Sequence, residues 1–115
     1  MKHKFLPAFR GLFSDGWKDH GIRTQMILAG LAVCAAFILR LSAMEWCAGI
    51  ICAGMVIAAE ILNTAVEKLC DLYSEQYDER IRAIKDLAAG AVLAASIAAL
   101  AVALIILAKH IGGLL

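Results

Sequence analysis

A polar stripe along one predicted helix is the part of this sequence whose residue types and spacing could do chemistry. Five of the polar residues in the segment 60–71 are spaced at intervals of one to four: Glu60, Asn63, Thr64, Glu67 and Asp71. At 100° per residue they fall within an arc of about 100° on one helix face. Glu60 and Glu67 lie two turns apart, roughly 10 Å along the axis, so they could take different roles. Glu67 could hold a divalent cation and Glu60 could accept a proton.

A second charged group, Lys85 and Asp86, stands where the last apolar run begins. A lysine at this position supplies a cation suited to phosphate groups. The segment 72–82 joins this group to the stripe and could form part of a nucleotide site, although neither G-x-x-x-x-G-K-[ST] nor G-x-G-x-x-G occurs. The residues alone leave two other interpretations of the polar stripe open: it could be a solvated helix end or a contact between subunits.

Long apolar runs must position these groups. The chain is 63% hydrophobic and 18% charged with a mean hydropathy of +0.81, which is more apolar than soluble domains usually are. We expect an all-α membrane protein with one domain over 1–115 and membrane spans at 24–43, 44–63 and 87–108. Segment 5–20 is expected to form an amphipathic surface helix, because one face carries its apolar side chains: Phe5, Phe9, Leu12, Phe13 and Trp17.

Basic residues are distributed unevenly about these spans, which predicts the orientation. Only Arg40 and Lys109 lie on one side. Nine lie on the other: Lys2, Lys4, Arg10, Lys18, Arg23, Lys68, Arg80, Arg82 and Lys85. The positive-inside rule therefore predicts a multi-pass protein of the inner (cytoplasmic) membrane, with the N-terminus and the acidic stripe at the cytoplasmic face and the C-terminus outside.

Packing and composition add two expectations. Span three carries small residues at every fourth position, including Gly90, Ala94, Ala98 and, beside them, Ala95 and Ala99, which favour close helix packing and self-association. The four cysteines show no metal-binding spacing, and no basic patch suggests a nucleic-acid partner.

The stripe and the Lys-Asp pair together resemble a known family. The pattern E-x-x-N-[ST]-A-[IV]-E-x-x-x-D, which runs here from Glu60 to Asp71, is followed about 14 residues later by K-D and a span rich in small residues. This is similar to the small prokaryotic diacylglycerol kinase and undecaprenol kinase family. The N-terminal Ala8-Phe9-Arg10-Gly11 and the later Ile22-Arg23 also fit, so the resemblance covers nearly the whole chain.

The resemblance implies a homotrimer of three-span subunits, with active sites shared between neighbours at the cytoplasmic interface. The reaction implied is transfer of the γ-phosphoryl group of ATP, with Mg²⁺ as cofactor, to a lipid hydroxyl. Carried over by position, Glu60 matches the catalytic base, and Glu67 and Asp19 match the metal ligands, although Asp19 stands where the family has a glutamate. Other matched positions are nucleotide-binding Gln76, Tyr77, Asp78, Lys85 and Asp86, and supporting Asn63 and Asp71.

Two features bear on the lipid acceptor. Thr64 and the Ala88–Leu93 entry to span three look closer to the undecaprenol branch, so undecaprenol is favoured over diacylglycerol. A different class of function also fits a membrane carboxylate: a small proton-coupled transporter in which Glu60 alternates between proton and substrate. A scaffold assembled through the small residues of span three is a third interpretation.

Overall fold

The computed structural model describes residues 2–114, with side chains described for 5–112, so the side chains of Lys2 and Lys4 in the charge count lie outside it. The elements are α1 (Lys2–Phe9), a π-helical segment (Arg10–Asp15), α2 (Gly16–Lys18), α3 (His20–Leu39), α4 (Ala43–Tyr73) and α5 (Glu79–Leu114). Within the described range there is no strand, and α3, α4 and α5 are long and apolar enough to cross a membrane. The prediction of an all-α protein with three spans and an N-terminal helix is confirmed.

The N-terminal helical segment carries an aromatic face that the rest of the chain leaves uncovered. Phe5, Phe9, Phe13 and Trp17 are each about half exposed or more. The rings of Phe9 and Phe13 stack with centroids 5.9 Å apart across the π-helical segment. Exposed aromatic side chains on one helix face are typical of a helix that lies in the membrane interface.

Caps define where α3 and α4 begin and where α3 ends. The backbone N–H of Ile22 donates to Asp19 Oδ1 at 2.9 Å, so Asp19 is the N-cap of α3. The helix ends at Arg40, whose φ of 56° places it in the left-handed region. Ser42 and Glu45 then form a capping box that starts α4. The tight turn at 40–42 makes α3 and α4 an antiparallel helical hairpin.

Helices α4 and α5 form the most extensive helix contact in the described chain. Apart from the adjacent pair 95–96, the less exposed positions of α5 recur at intervals of three or four: Ile81, Lys85, Ala88, Val92, Ala95, Ser96, Ala99, Val102, Ile106 and His110. A mean spacing of about 3.6 residues keeps these positions on one face of α5. Ala95 and Ala99 therefore belong to the face that packs within the chain, whereas Gly90, Ala94 and Ala98 are exposed on another face.

Candidate functional site

The acidic stripe lies on α4, which continues without interruption through all of its residues. No glycine or proline occurs after Gly54 in this helix, so nothing in the sequence ends it before Tyr73. Asn63 Nδ2 donates to Glu67 Oε1 at 3.1 Å, one turn further along the same face. Asn63 Oδ1 is buried and has no hydrogen-bond partner among the described residues. The stripe therefore contains an oxygen acceptor that the protein itself leaves unpaired.

Asp19 and Glu60 meet at the start of α3, across Gly21. A Cβ atom added to Gly21 would lie 3.2 Å from Glu60 Oε2 and 3.4 Å from Asp19 Oδ1, so both carboxylates border the same small space. Because Gly21 has no side chain, the Glu60 carboxylate can approach the backbone of α3 here. Two carboxylates that face one space repel each other unless a cation lies nearby. The structure thus brings together the base and one metal ligand predicted from the sequence.

Lys85 crosses from α5 to the acidic stripe. Its Nζ lies 2.9 Å from Asp71 Oδ1, one turn beyond Glu67 on the same helix face. The ammonium group therefore lies at the end of the stripe, close to the predicted metal ligand Glu67. It retains N–H donors beyond the one that Asp71 accepts.

The segment between α4 and α5 is organised by its own polar contacts. Gln76 N–H donates to Ser74 Oγ at 3.1 Å. Asp78 accepts from the backbone N–H and the guanidinium of Arg80, and this guanidinium lowers the pKa of the Asp78 carboxyl. Tyr77 donates its hydroxyl to the Glu79 carboxylate, and this bond raises the pKa of Tyr77. The predicted nucleotide residues 76–78 thus lie in a turn with local hydrogen bonds, in which Gln76 and Tyr77 are exposed and Asp78 is partly buried.

Two arginines at the start of α5 are site candidates that sequence reasoning passed over. Arg82 binds Asp86 at 2.5 Å and also pairs with Glu79, while Arg80 pairs with Asp78 at 3.0 Å. Their guanidinium groups stand among the residues assigned to the nucleotide. The acidic pair Asp78-Glu79, followed directly by Arg80 and Arg82, was the sequence feature that could have indicated them.

The length of α4 sets the depth of each group on the stripe. Its 31 residues span about 46 Å, roughly 16 Å more than a hydrocarbon core of about 30 Å. With Trp46 at one boundary, as tryptophan prefers, the other boundary falls about 20 residues on, near residue 66. Glu60 then lies about 9 Å inside the core, Glu67 at the boundary and Asp71 about 7 Å beyond it. One helix face therefore connects the apolar layer with water.

The oxygen donors of the stripe and of Asp19 are of the type that a magnesium ion takes when it is held jointly with phosphate. In the part of the chain described, no three His, Cys, Asp or Glu side chains converge on a metal position. Mg²⁺ usually takes only one or two carboxylates and completes its shell with phosphate oxygens and water. Asp19, Glu67 and the unpaired Asn63 Oδ1 all offer the hard oxygen ligands that this ion prefers. A protein-only cage is therefore not required.

A polar cluster at the opposite end of the α4–α5 pair was not foreseen from the sequence. Glu45 is only 9% exposed and accepts from Ser42 N–H at 2.9 Å. His110 Nε2 lies 3.0 Å from Glu45 Oε2, and Lys109 Nζ lies 3.8 Å from Oε1. The Ser-x-x-Glu capping motif could have indicated the local role of Glu45. Its pairing with His110, 65 residues away, has no local sequence signal.

The chain is similar to known proteins over most of its length. A family model described as prokaryotic diacylglycerol kinase matches residues 7–107. The undecaprenol kinase of Bacillus subtilis is 31% identical over 88 residues, which cover 76% of this chain and 72% of that protein. The diacylglycerol kinase of Synechocystis sp. is 41% identical over 99 residues, which cover 85% of this chain and 57% of that longer protein.

Proposed function

This chain belongs to the prokaryotic diacylglycerol kinase family, a family of lipid kinases, and we propose that it transfers the γ-phosphoryl group of MgATP to the hydroxyl of undecaprenol in preference to diacylglycerol. The observation that carries this proposal is the single face of α4. With one boundary at Trp46, the helix rise would put Glu60 within the apolar layer on that face, and Glu67 and the Asp71–Lys85 pair at or beyond its boundary. A lipid alcohol and a dissolved nucleotide can meet along such a stripe.

The proposed reaction uses Glu60 as the general base. The lipid hydroxyl oxygen forms a bond to the γ-phosphorus while the bond to the β–γ bridging oxygen breaks, so that ADP leaves. The hydroxyl proton passes to Glu60 and then to water. Positioning and charge neutralisation supply most of the catalysis in phosphoryl transfer.

The remaining polar residues would bind the nucleotide and its metal. Glu67 and Asp19 would hold Mg²⁺, which neutralises charge on the phosphates when it is bound. Lys85 would donate to phosphate oxygens, because its ammonium already lies beside the stripe. The other nucleotide contacts in this proposal come from the turn and the start of α5: Gln76, Tyr77, Asp78 and Asp86.

The preference for undecaprenol rests on residues near the stripe. Thr64 and the small, apolar run Ala88–Leu93 look closer to the undecaprenol branch of the family. The relatives themselves include one undecaprenol kinase and one diacylglycerol kinase. The preference is therefore a separate proposal from the kinase activity, and a competition between the two lipids tests it.

We also propose that the enzyme works as a homotrimer in the inner membrane, with its stripe facing the cytoplasm. The exposed ridge of Gly90, Ala94 and Ala98 supports close contact with another copy, because small residues let helices approach in lipid. In an active site shared between subunits, side chains of a neighbouring subunit would lie beside the carboxylates of this chain. The excess of lysine and arginine on the stripe's side supports the orientation.

Phosphate transfer from γ-labelled ATP in detergent micelles tests the function directly. Purified protein should phosphorylate undecaprenol with a higher kcat/KM than diacylglycerol, and chelation of Mg²⁺ should abolish both reactions. A higher kcat/KM for diacylglycerol would overturn the lipid preference alone. Absence of transfer to either lipid, together with proton uptake into proteoliposomes without ATP, would instead indicate the transporter considered from the sequence.

A further inference from the structure

Lys85 pairs with one of two carboxylates that lie one turn apart on α4. Its Nζ lies 2.9 Å from Asp71 Oδ1, and Glu67 precedes Asp71 by four residues on the same helix face, about 6 Å along the axis. We propose that Asp71 is a positioning residue, which holds the Lys85 ammonium away from Glu67 and so keeps Glu67 available to a divalent cation. This inference rests on the proposed function, because it assigns a task to a residue beside the same site.

Asp71 is needed to hold Lys85 because the lysine and a metal ion would otherwise compete for one oxygen of Glu67. Asn63 Nδ2 already donates to Glu67 Oε1, so Glu67 Oε2 is the oxygen for which a lysine and a metal ion would compete. A lysine side chain is long and flexible and moves readily to another carboxylate within reach. An ammonium group on Glu67 Oε2 would act as a competing cation and weaken the binding of Mg²⁺.

The position of Asp71 also suits phosphate binding by Lys85. Asp71 lies four residues beyond Glu67, about 6 Å further toward water. The Lys85 and Asp71 side chains are 37% and 54% exposed, so a nucleotide can reach the ion pair. Because an ammonium group has three N–H donors, two remain for phosphate oxygens when Asp71 accepts one.

The Mg²⁺ dependence of phosphate transfer tests the inference. At saturating ATP, Asp71→Asn should raise the half-saturating Mg²⁺ concentration about fivefold, the shift expected when an exposed charge pair is lost. Excess Mg²⁺ should recover part of the lost activity, because it displaces the lysine from Glu67. Asp71→Glu should restore the wild-type Mg²⁺ dependence. In a Lys85→Gln background, Asp71→Asn should produce no further change.

Glu45→Gln is the matched control, because it loosens the same helix pair at its other end. This variant should leave the half-saturating Mg²⁺ concentration unchanged, whereas a merely structural role for Asp71 would make the two variants behave alike. An unchanged or lowered Mg²⁺ requirement in Asp71→Asn would overturn the inference. Mn²⁺ binding, followed by EPR with a non-hydrolysable ATP analogue, reports the same competition without turnover. Because this binding measurement needs no lipid, inactivity of the wild-type protein on lipids would count against the proposed function and not against the role of Asp71.

Discussion

Replacing Gly21 with alanine should slow phosphate transfer without destabilising the protein. The added Cβ would lie 3.2 Å from Glu60 Oε2, which is tighter than an ordinary contact, and 3.4 Å from Asp19 Oδ1. The Glu60 carboxylate must then move by a few tenths of an ångström. Because Glu60 is the proposed base, this displacement acts on the reacting geometry rather than on the fold.

The size of the effect follows from that displacement. A misplacement of about 1 Å in an active site can cost about 100-fold in rate, so a few tenths of an ångström should lower kcat roughly three- to tenfold. Alanine is favoured over glycine within helices by up to about 1 kcal/mol, so the thermal midpoint should stay the same or rise. Activity and stability are thus expected to change in opposite directions.

The assay compares kcat and thermal unfolding in the same micelles. Gly30→Ala is the matched control, because Gly30 lies on the same helix and an added Cβ there meets nothing within 4 Å. The control should keep the wild-type kcat. Equal kcat in Gly21→Ala and the wild type would refute the placement of the Glu60 carboxylate against α3 during turnover. A fall in the thermal midpoint of Gly21→Ala would show that the contact is structural instead.

Three further predictions concern the site and the assembly. Glu60→Gln should lower kcat at least about 100-fold, because a general base contributes about that much. Its elution volume in gel filtration should be unchanged, and near-normal turnover would exclude Glu60 as the base. Asp19→Glu restores the longer side chain and should keep or lower the half-saturating Mg²⁺ concentration, and loss of transfer would argue against a ligand role. Ala98→Leu should weaken chemical cross-linking into oligomers, and unchanged cross-linking in this variant would place the subunit contact elsewhere. Ala95→Leu should instead lower the thermal midpoint, because Ala95 packs within the chain.

The helices and the stripe could be predicted because both depend on local sequence. Apolar runs with few charges indicate spans, and helix periodicity places Glu60, Asn63 and Glu67 on one face wherever the helix continues. The absence of glycine and proline over 55–73 is the reason that α4 does continue past the last apolar residues. The hydrogen bond from Asn63 to Glu67 is the local consequence.

The contacts between helices could not be predicted in the same way. That Asp19 faces Glu60 depends on the rotation of α3 about its axis relative to α4, which no periodicity encodes. The bond from Lys85 to Asp71 depends on how the turn at 74–78 sets the register of two helices. The packing of α4 against α5 likewise decides which small residues of α5 are covered and which are exposed, and the sequence of α5 alone does not show this.

The two polar contacts between α4 and α5 together oppose sliding of one helix along the other. One ties Asp71 to Lys85 and the other ties Glu45 to His110, and they are separated by about 25 residues, or roughly 38 Å, on both helices. A slip of one residue would shift α5 by about 1.5 Å and rotate it by about 100°. Both ties and the apolar seam between them would break together. The two contacts therefore specify one register of α5 against α4, and with it the spacing along the pair of the groups that the two helices carry.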